Sequence, residues 1–492
     1  MVRKPLNILF LAAEAVPFAK VGGLADVAGA LPRAIRSLGH DVRLMIPRYG
    51  TIRSNQFNLD KIGDPFPVPV GPGQEHIHLI GGVLGSSSDQ QDAVPVYLIW
   101  SDSYFSRRDR VYGFEDDAQR FAVFGHSALA ALTLLNWKPD VIHANDWHTG
   151  IVPTWLNTAG RRDPFYREIA SLFTIHNLAY QGAVGRLILT FAQMEYVKHL
   201  SVEQPGTVNW MAQGIAHADL VNTVSPQYAQ EILTPEMGMG LSPLLVERRE
   251  RLCGVLNGID YEQWNPATDP HIPHRFDVAS FDRRATNKTA LQQQARLPVR
   301  PDVPLVGMVS PLEEVKGLDL VEPVLEWLLG EVEAQFIIVG AGQPHYHEMI
   351  ERVQDRFPDR MRAFLKFDDV LARRIYAGAD LFLMPSGVEP CGQEQMIAMR
   401  YGCVPVVSAV GGLIDTVADH TAMHGRGTGF TFSGHTAEAC QGALQQALDI
   451  YRDKKDAWRG IQRRGMSVDF SWSASAKEYV KLYQRAVELH TR

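Results

Sequence analysis

Asn7-Ile-Leu-Phe-Leu-Ala-Ala-Glu-Ala15, followed after four residues by Lys20-Val-Gly-Gly-Leu-Ala-Asp-Val27, decides how the chain begins to fold. The apolar run 7–13 reads as a buried strand that Glu14 cuts short, although its basic start imitates a signal peptide. Beyond it, Leu31, Ile35 and Leu38 recur at helical spacing. The pair Gly22-Gly23 therefore stands at a strand-to-helix turn. There, backbone amides can approach a phosphate, the helix start adds partial positive charge and Lys20 adds a full one. Taken alone, the pair fits an ordinary turn with a surface lysine equally well.

Outward from this turn, short apolar runs alternate with helical periodicity, the signature of parallel βαβ units. The runs 8–12, 41–46, 96–100, 141–144, 171–175 and 220–224 form one series, and 305–309, 335–339, 362–367, 381–384 and 404–408 form a second. Between them, Asn257-Gly-Ile-Asp-Tyr-Glu-Gln-Trp-Asn-Pro266 and the Pro-, Asp- and His-rich stretch up to Phe276 read as a linker. The expected organisation is a Rossmann-like domain at 1–258, a second at 259–470, and a terminal helix at 471–492 packing back on the first. Tyr479, Val480 and Tyr483 supply the apolar face of that helix.

The 492 residues exceed one ordinary core. Charged residues make up 21% and apolar ones 46%, a globular balance. No apolar run approaches the ~20 residues that span a bilayer. A net charge of −7 argues against nucleic acid or an anionic membrane as partner, so anion binding must come from individual residues. Cys253, Cys391, Cys403 and Cys440 show no CxxC spacing, which fits a reducing, cytoplasmic compartment and makes metal binding through them improbable.

The string Lys20-Val-Gly-Gly-Leu resembles the hallmark loop of the ADP-glucose-using bacterial glycogen and plant starch synthases. Similarity continues through His143-Ala-Asn-Asp-Trp-His-Thr-Gly150, Thr174-Ile-His-Asn-Leu-Ala-Tyr-Gln-Gly182, Asn257-Gly-Ile-Asp260, Lys316-Gly-Leu-Asp-Leu320, Ile375-Tyr-Ala-Gly-Ala-Asp380, Glu389-Pro-Cys-Gly392 and Gly411-Gly-Leu-Ile-Asp-Thr-Val417. The resemblance implies a GT-B-like α/β fold, two doubly wound Rossmann-like domains facing across a cleft. It also implies retaining transfer of glucose from ADP-glucose to the non-reducing end of an α-1,4-glucan, with neither metal nor cofactor.

On the same basis Lys20, Gly22, Gly23, Asn257, Tyr376, Cys391 and Gly392 are expected at the donor, with Tyr376 stacking on adenine. His176, Lys316 and Glu389 carry the chemistry. Asp26, Asp146, Trp147, Asn177, Tyr180 and Gln181 attend the sugars, since pyranose faces stack on rings and hydroxyls need planar partners. Without the resemblance, His176 reads as a structural histidine, Glu389 and Lys316 as solvated loop residues, and Trp147 as half-buried core.

Three departures cluster on the phosphate side. The family's Ser-Arg-Leu-x-x-Gln-Lys-Gly is Ser310-Pro-Leu-Glu-Glu-Val-Lys-Gly317, so Pro311 replaces an arginine clamp. Glu-Pro-Cys-Gly-Leu-Thr-Gln is Glu389-Pro-Cys-Gly-Gln-Glu-Gln395, placing Glu394 where a threonine meets phosphate. Ser-Arg-Phe-Glu-Pro is Ser386-Gly-Val-Glu-Pro390. The alternatives are an enzyme compensated by Arg373, Arg374 or the two lysines, or a weakly active or non-catalytic glucan-binding relative.

Overall fold

The computed structural model describes residues 4–85, 93–194 and 206–491. The chain forms two compact units, Met1–Gly258 with Trp472–Arg492, and Ile259–Ser471.

The strands of the first unit are β1 (Asn7–Leu11), β2 (Asp41–Pro47), β3 (Asp60–Val70), β4 (Gly73–Leu84), β5 (Val94–Trp100), β6 (Val141–Asn145), β7 (Ala170–Ile175), β8 (Ala183–Gly185), β9 (Thr207–Asn209), β10 (Leu220–Thr223) and β11 (Leu252–Gly254). Nine of them build one sheet in the order β11-β10-β7-β6-β1-β2-β5-β4-β3. It is parallel from β11 to β5, and β4 and β3 extend it antiparallel. Burial on both faces explains why β1 reads as a nearly continuous apolar run, while β6 and β7 carry His143, Asn145 and Thr174 inside the buried layer. The hairpin β3–β4 lies outside the apolar runs named above, because β3 is polar and proline-bearing and the apolar residues of β4 are interrupted by His78 and Gly81-Gly82. Pro65, Pro67 and Pro69 lie within β3, where they are tolerated because β3 is the sheet edge.

The second unit holds β12 (Leu305–Val309), β13 (Gln335–Val339), β14 (Met361–Phe364), β15 (Leu381–Met384), β16 (Val404–Ser408) and β17 (Phe430–Phe432). Their order, β14-β13-β12-β15-β16-β17, is wholly parallel and is that of a doubly wound dinucleotide-type sheet. Ligands of such sheets bind beyond the carboxyl ends of the strands where the order reverses. The reversal falls between β12 and β15 here, and between β1 and β6 in the first unit.

The helix Trp472–His490 belongs to the first unit, with Tyr479 and Tyr483 fully buried. Tyr483 Oη lies 3.0 Å from His143 Nδ1, and Asn222 Nδ2 donates to Tyr479 Oη at 3.2 Å. His143 Nε2 and Asn222 Nδ2 both reach Thr174 Oγ1, at 2.7 and 3.3 Å. The helix thus satisfies polar groups on three strands that would otherwise be stranded in the core. Tyr483→Phe leaves His143 one partner short and is expected to cost about 1–3 kcal/mol of stability. Chemical denaturation of both chains checks this, and an unchanged midpoint and slope would remove the network from the account.

Candidate active site

In the first unit the reversal point is filled by polar groups from the ends of β1, β6 and β7. Asn145, the last residue of β6, donates from Nδ2 to the Leu11 carbonyl at 2.9 Å and to the His143 carbonyl at 3.3 Å. Its Oδ1 lies 2.9 Å from His176 Nε2. Asp146 follows at φ 56° and ψ 177°, a region that disfavours side chains. Its carboxylate holds that conformation by accepting from the His176 amide at 2.7 Å and from the Asn177 amide. Glu14, 2% exposed just past β1, accepts from the amides of Val21 and Gly22, the latter at 3.2 Å.

These contacts shift several protonation equilibria. Burial pushes Asp146 up to about 7, against the pull of the two amides and helped by nearby Glu14. Glu14 is likewise raised, chiefly by burial, which outweighs its bonds to Val21, Gly22 and Tyr112. Desolvation holds the imidazoles of His176 and His148 neutral, down to about 3.

Several expected residues are engaged otherwise than the sequence suggests. The Val21 and Gly22 amides face the protein's own Glu14 carboxylate, so an anion already occupies the donors assigned to a phosphate. Gly23 opens the helix Gly23–Ser37, and a Cβ there would meet nothing within 4 Å. Lys20 pairs with Asp26 at 2.7 Å on the surface. Trp147 is packed rather than presented. It stands 4.2 Å from His148 and 5.4 Å from Phe121 between ring centroids, and a Cβ on Gly182, at φ 64°, would strike its ring at 2.2 Å. Gln181 spends its amide on Leu178, Met239 and Asn209, which makes it a brace between loops. Asn177 is exposed, with Oδ1 accepting from the Ala179 amide, and the Tyr180 ring is 68% exposed. Asn257 is buried with its Oδ1 unpartnered.

The second unit places a pocket at its own reversal point, lined by Val309, Ser310, Pro311, Lys316, Ser386 and Glu394 among others. Lys316 Nζ donates to Glu389 Oε2 at 2.7 Å, and Ser386 Oγ donates to the same oxygen at 3.2 Å. Gly317, at φ 75°, lets the lysine loop meet the Pro385 loop, since a Cβ there would lie 2.0 Å from the Pro385 carbonyl. The Gly412 amide fixes the Glu389 carbonyl at 3.1 Å. Cys391 is buried, and Gly392 turns the loop at φ 67°.

Tyr376 departs from its expected role: its ring is 2% exposed, in the core of this unit against Phe382, Trp264 and Tyr401. Stacking on a base would require that cluster to open. Arg373 and Arg374 are committed elsewhere, Arg373 to Asp269, Asp369 and the Gln263 carbonyl, and Arg374 to His271 and Gln294. Neither lines the pocket at Pro311.

Sequence reasoning missed Glu14 and Asn145 as parts of the site. Asn145 closes β6 and Glu14 follows β1, so residue type alone marked neither, and the sheet register is what brings them to His176 and the Val21 loop. Ser408, buried at the end of β16 with its hydroxyl unpartnered, gave no signal at all.

Residues 7–247 match the starch synthase catalytic domain family, and residues 291–463 match glycosyl transferases group 1. The glycogen synthase of Moorella thermoacetica is 44% identical over 490 residues, covering 99% of this chain and 98% of its own length. That of Syntrophotalea carbinolica is 44% identical over 492 residues, covering 99% and 100%. The chain belongs to the glycogen and starch synthase family. A solved relative, the catalytic domain of starch synthase IV from Arabidopsis thaliana bound to ADP and acarbose, superposes with a TM-score of 0.87 at 33% identity, covering 99% of this chain and all of that one. Sucrose-phosphate synthase from Thermosynechococcus elongatus, at 19% identity and a TM-score of 0.57, shares the fold. The synthase is therefore a glycosyltransferase of GT-B type, with two Rossmann-like units.

Within this synthase, two of the departures from the family pattern, Pro311 and Glu394, line one pocket with Lys316, and the third, Gly387-Val388, follows directly on Ser386, which also lines it. Burial alone would discourage charge on Lys316, yet the carboxylates of Glu389, Glu394 and Glu313 outweigh it and strengthen its hold on the proton. Glu389 is raised above the ordinary glutamate range, mainly by burial, with Lys316 opposing and Glu394 adding to the shift.

Asp146 gives the first unit a pH signature. Its folded-state pKa lies above the ordinary 3.8, at about 7. The stability it contributes is therefore full below roughly pH 4 and is lost as pH rises through about 7. Relative to Asp146→Asn, the parent should lose up to about 1.4 kcal/mol per pH unit across this window. Urea unfolding of both chains at several pH values measures it, and parallel profiles would refute the assignment.

Proposed function

We propose that this synthase transfers glucose from ADP-glucose to the 4-hydroxyl at the non-reducing end of an α-1,4-glucan, with retention at the anomeric carbon, in the cytoplasm. The observation that carries this is the Lys316–Glu389 pair, set beyond the carboxyl ends of β12 and β15 where a doubly wound sheet takes its ligand. A cation is needed there because a diphosphate leaving group gains charge as the glycosidic bond breaks. Among the described residues, no helix is long and apolar enough to cross a membrane.

In this scheme Lys316 stabilises the departing diphosphate. Glu389, held by Lys316 and Ser386, accepts from sugar hydroxyls and offsets positive charge at the anomeric carbon. The backbone of Cys391 and Gly392 borders the donor. His176 hydrogen-bonds the transferred glucose, and Asp146 aims it by gripping its amide. The exposed Tyr180 ring offers a face for a pyranose. Lys20, Asp26 and the unsatisfied Asn257 carbonyl complete the polar groups that meet the donor and sugars.

Incorporation of [14C]glucose into glycogen from ADP-glucose tests the proposal, with Lys316→Ala expected to lower kcat roughly 10²- to 10³-fold. Absence of incorporation by the parent chain, or a preference for UDP-glucose, would overturn it.

Glu394 makes a second prediction. A carboxylate about 4 Å from a phosphate costs on the order of 1–4 kcal/mol. Pro311→Arg with Glu394→Thr should therefore tighten ADP binding by at least about fivefold, as read by calorimetry. Equal affinity in parent and double variant would show that these side chains do not face the diphosphate.

A further inference from the structure

The orientation of the Asn145 amide fixes more than the strand ends. Asn145 is fully buried, and its Nδ2 faces two backbone carbonyls, Leu11 at 2.9 Å and His143 at 3.3 Å. Carbonyl oxygens only accept, so the amide nitrogen must point towards them and Oδ1 must point towards His176. Reversing the amide would set its oxygen against two carbonyl oxygens and its nitrogen against the ring. The 2.9 Å contact from Oδ1 to His176 Nε2 therefore requires the ring to donate. A neutral imidazole that carries its proton on Nε2 leaves a lone pair on Nδ1. Among the described residues, none bonds that second nitrogen. The ring is held from behind by β6 and, through the Leu11 carbonyl, by β1, while the Asp146 carboxylate pins its backbone at 2.7 Å.

We propose that Asn145 is a positioning residue that locks His176 in the Nε2–H tautomer, so that the imidazole meets the sugar only as a hydrogen-bond acceptor, through Nδ1. This rests on the reading that His176 contacts the transferred glucose, and it adds a chemical selectivity. The group facing Nδ1 must be a hydroxyl that donates, whereas an ether, a carbonyl or a fluorine in its place finds no partner. A deoxy and a deoxyfluoro sugar altered at that hydroxyl should be equally poor substrates, because neither can donate.

Long-range 1H–15N spectra of the full chain, labelled in histidine and assigned by loss of one ring in His176→Ala, test the lock directly in the ligand-free protein. The parent should show protonated Nε2 and unprotonated Nδ1 near neutral pH. Asn145→Ala should show both tautomers in exchange and lower kcat about tenfold, the worth of one well-placed hydrogen bond, with KM for the glucan little changed. An Nδ1–H ring or an imidazolium in the parent chain overturns the inference, and that spectrum decides even if a variant fails to fold. Undiminished incorporation by a folded His176→Ala would instead overturn the reading beneath it, whatever tautomer the parent shows.

Discussion

Where two neighbouring parallel strands send their crossovers to opposite faces of a sheet, neither crossover covers the strand ends between them. The backbone and side-chain polar groups at that point must find partners in loops or in a ligand. In this synthase β1 and β6 stand in that relation in one unit, and β12 and β15 in the other. Each gap is filled in its own way. In the first unit, Asn145 ties the end of β6 to the Leu11 carbonyl and Asp146 ties it to the start of the loop after β7. In the second, Lys316 reaches from the loop after β12 to Glu389 in the loop after β15. The residues proposed to carry the chemistry lie in these seams, where the crossovers leave room and unmet polar groups at the strand ends.

Both seams are occupied by carboxylates that the protein satisfies with its own donors. Glu14 takes the Val21 and Gly22 amides, Asp146 takes those of His176 and Asn177, and Glu389 takes the Lys316 ammonium. A buried carboxylate with such partners orders a loop before any ligand arrives, which lowers the cost of binding. For a diphosphate bound as proposed, the same arrangement weakens attraction, since Lys316 is already paired with Glu389 and Glu394 adds a further negative charge at the same pocket. Preorganisation and electrostatic attraction thus pull in opposite directions in the second unit, and the proline at 311 leaves the balance further towards the former.

The fold class was legible because parallel strands buried on both faces write themselves as unbroken apolar runs, as at Leu305–Val309 and Leu381–Met384. What escaped had a physical reason to escape. The proline-bearing edge strand β3 lacks any apolar run, and β8, β9, β11 and β17 are too short to show a period. Family motifs pointed to His176, Lys316 and Glu389 as candidates, but the residues that brace them could not be found by type. Asn145 and Glu14 act through bonds made across more than one strand or loop, which only the register of the sheet reveals. Trp147 and Tyr376 show the converse, because an aromatic in a functional motif is as ready to fill a core as to receive a ligand.

The helix Trp472–His490 lies in the first unit although the whole of Ile259–Ser471 separates it from the rest of that unit in the chain. During synthesis the ribosome must therefore deliver the complete second unit before the first can close. Until then the tyrosine hydroxyls that pair with His143 and Asn222 are not yet present. At about 5–20 residues per second, that interval lasts on the order of ten seconds or more. The nascent chain accordingly carries an unfinished sheet, and the unit encoded last to begin is the first able to fold to completion.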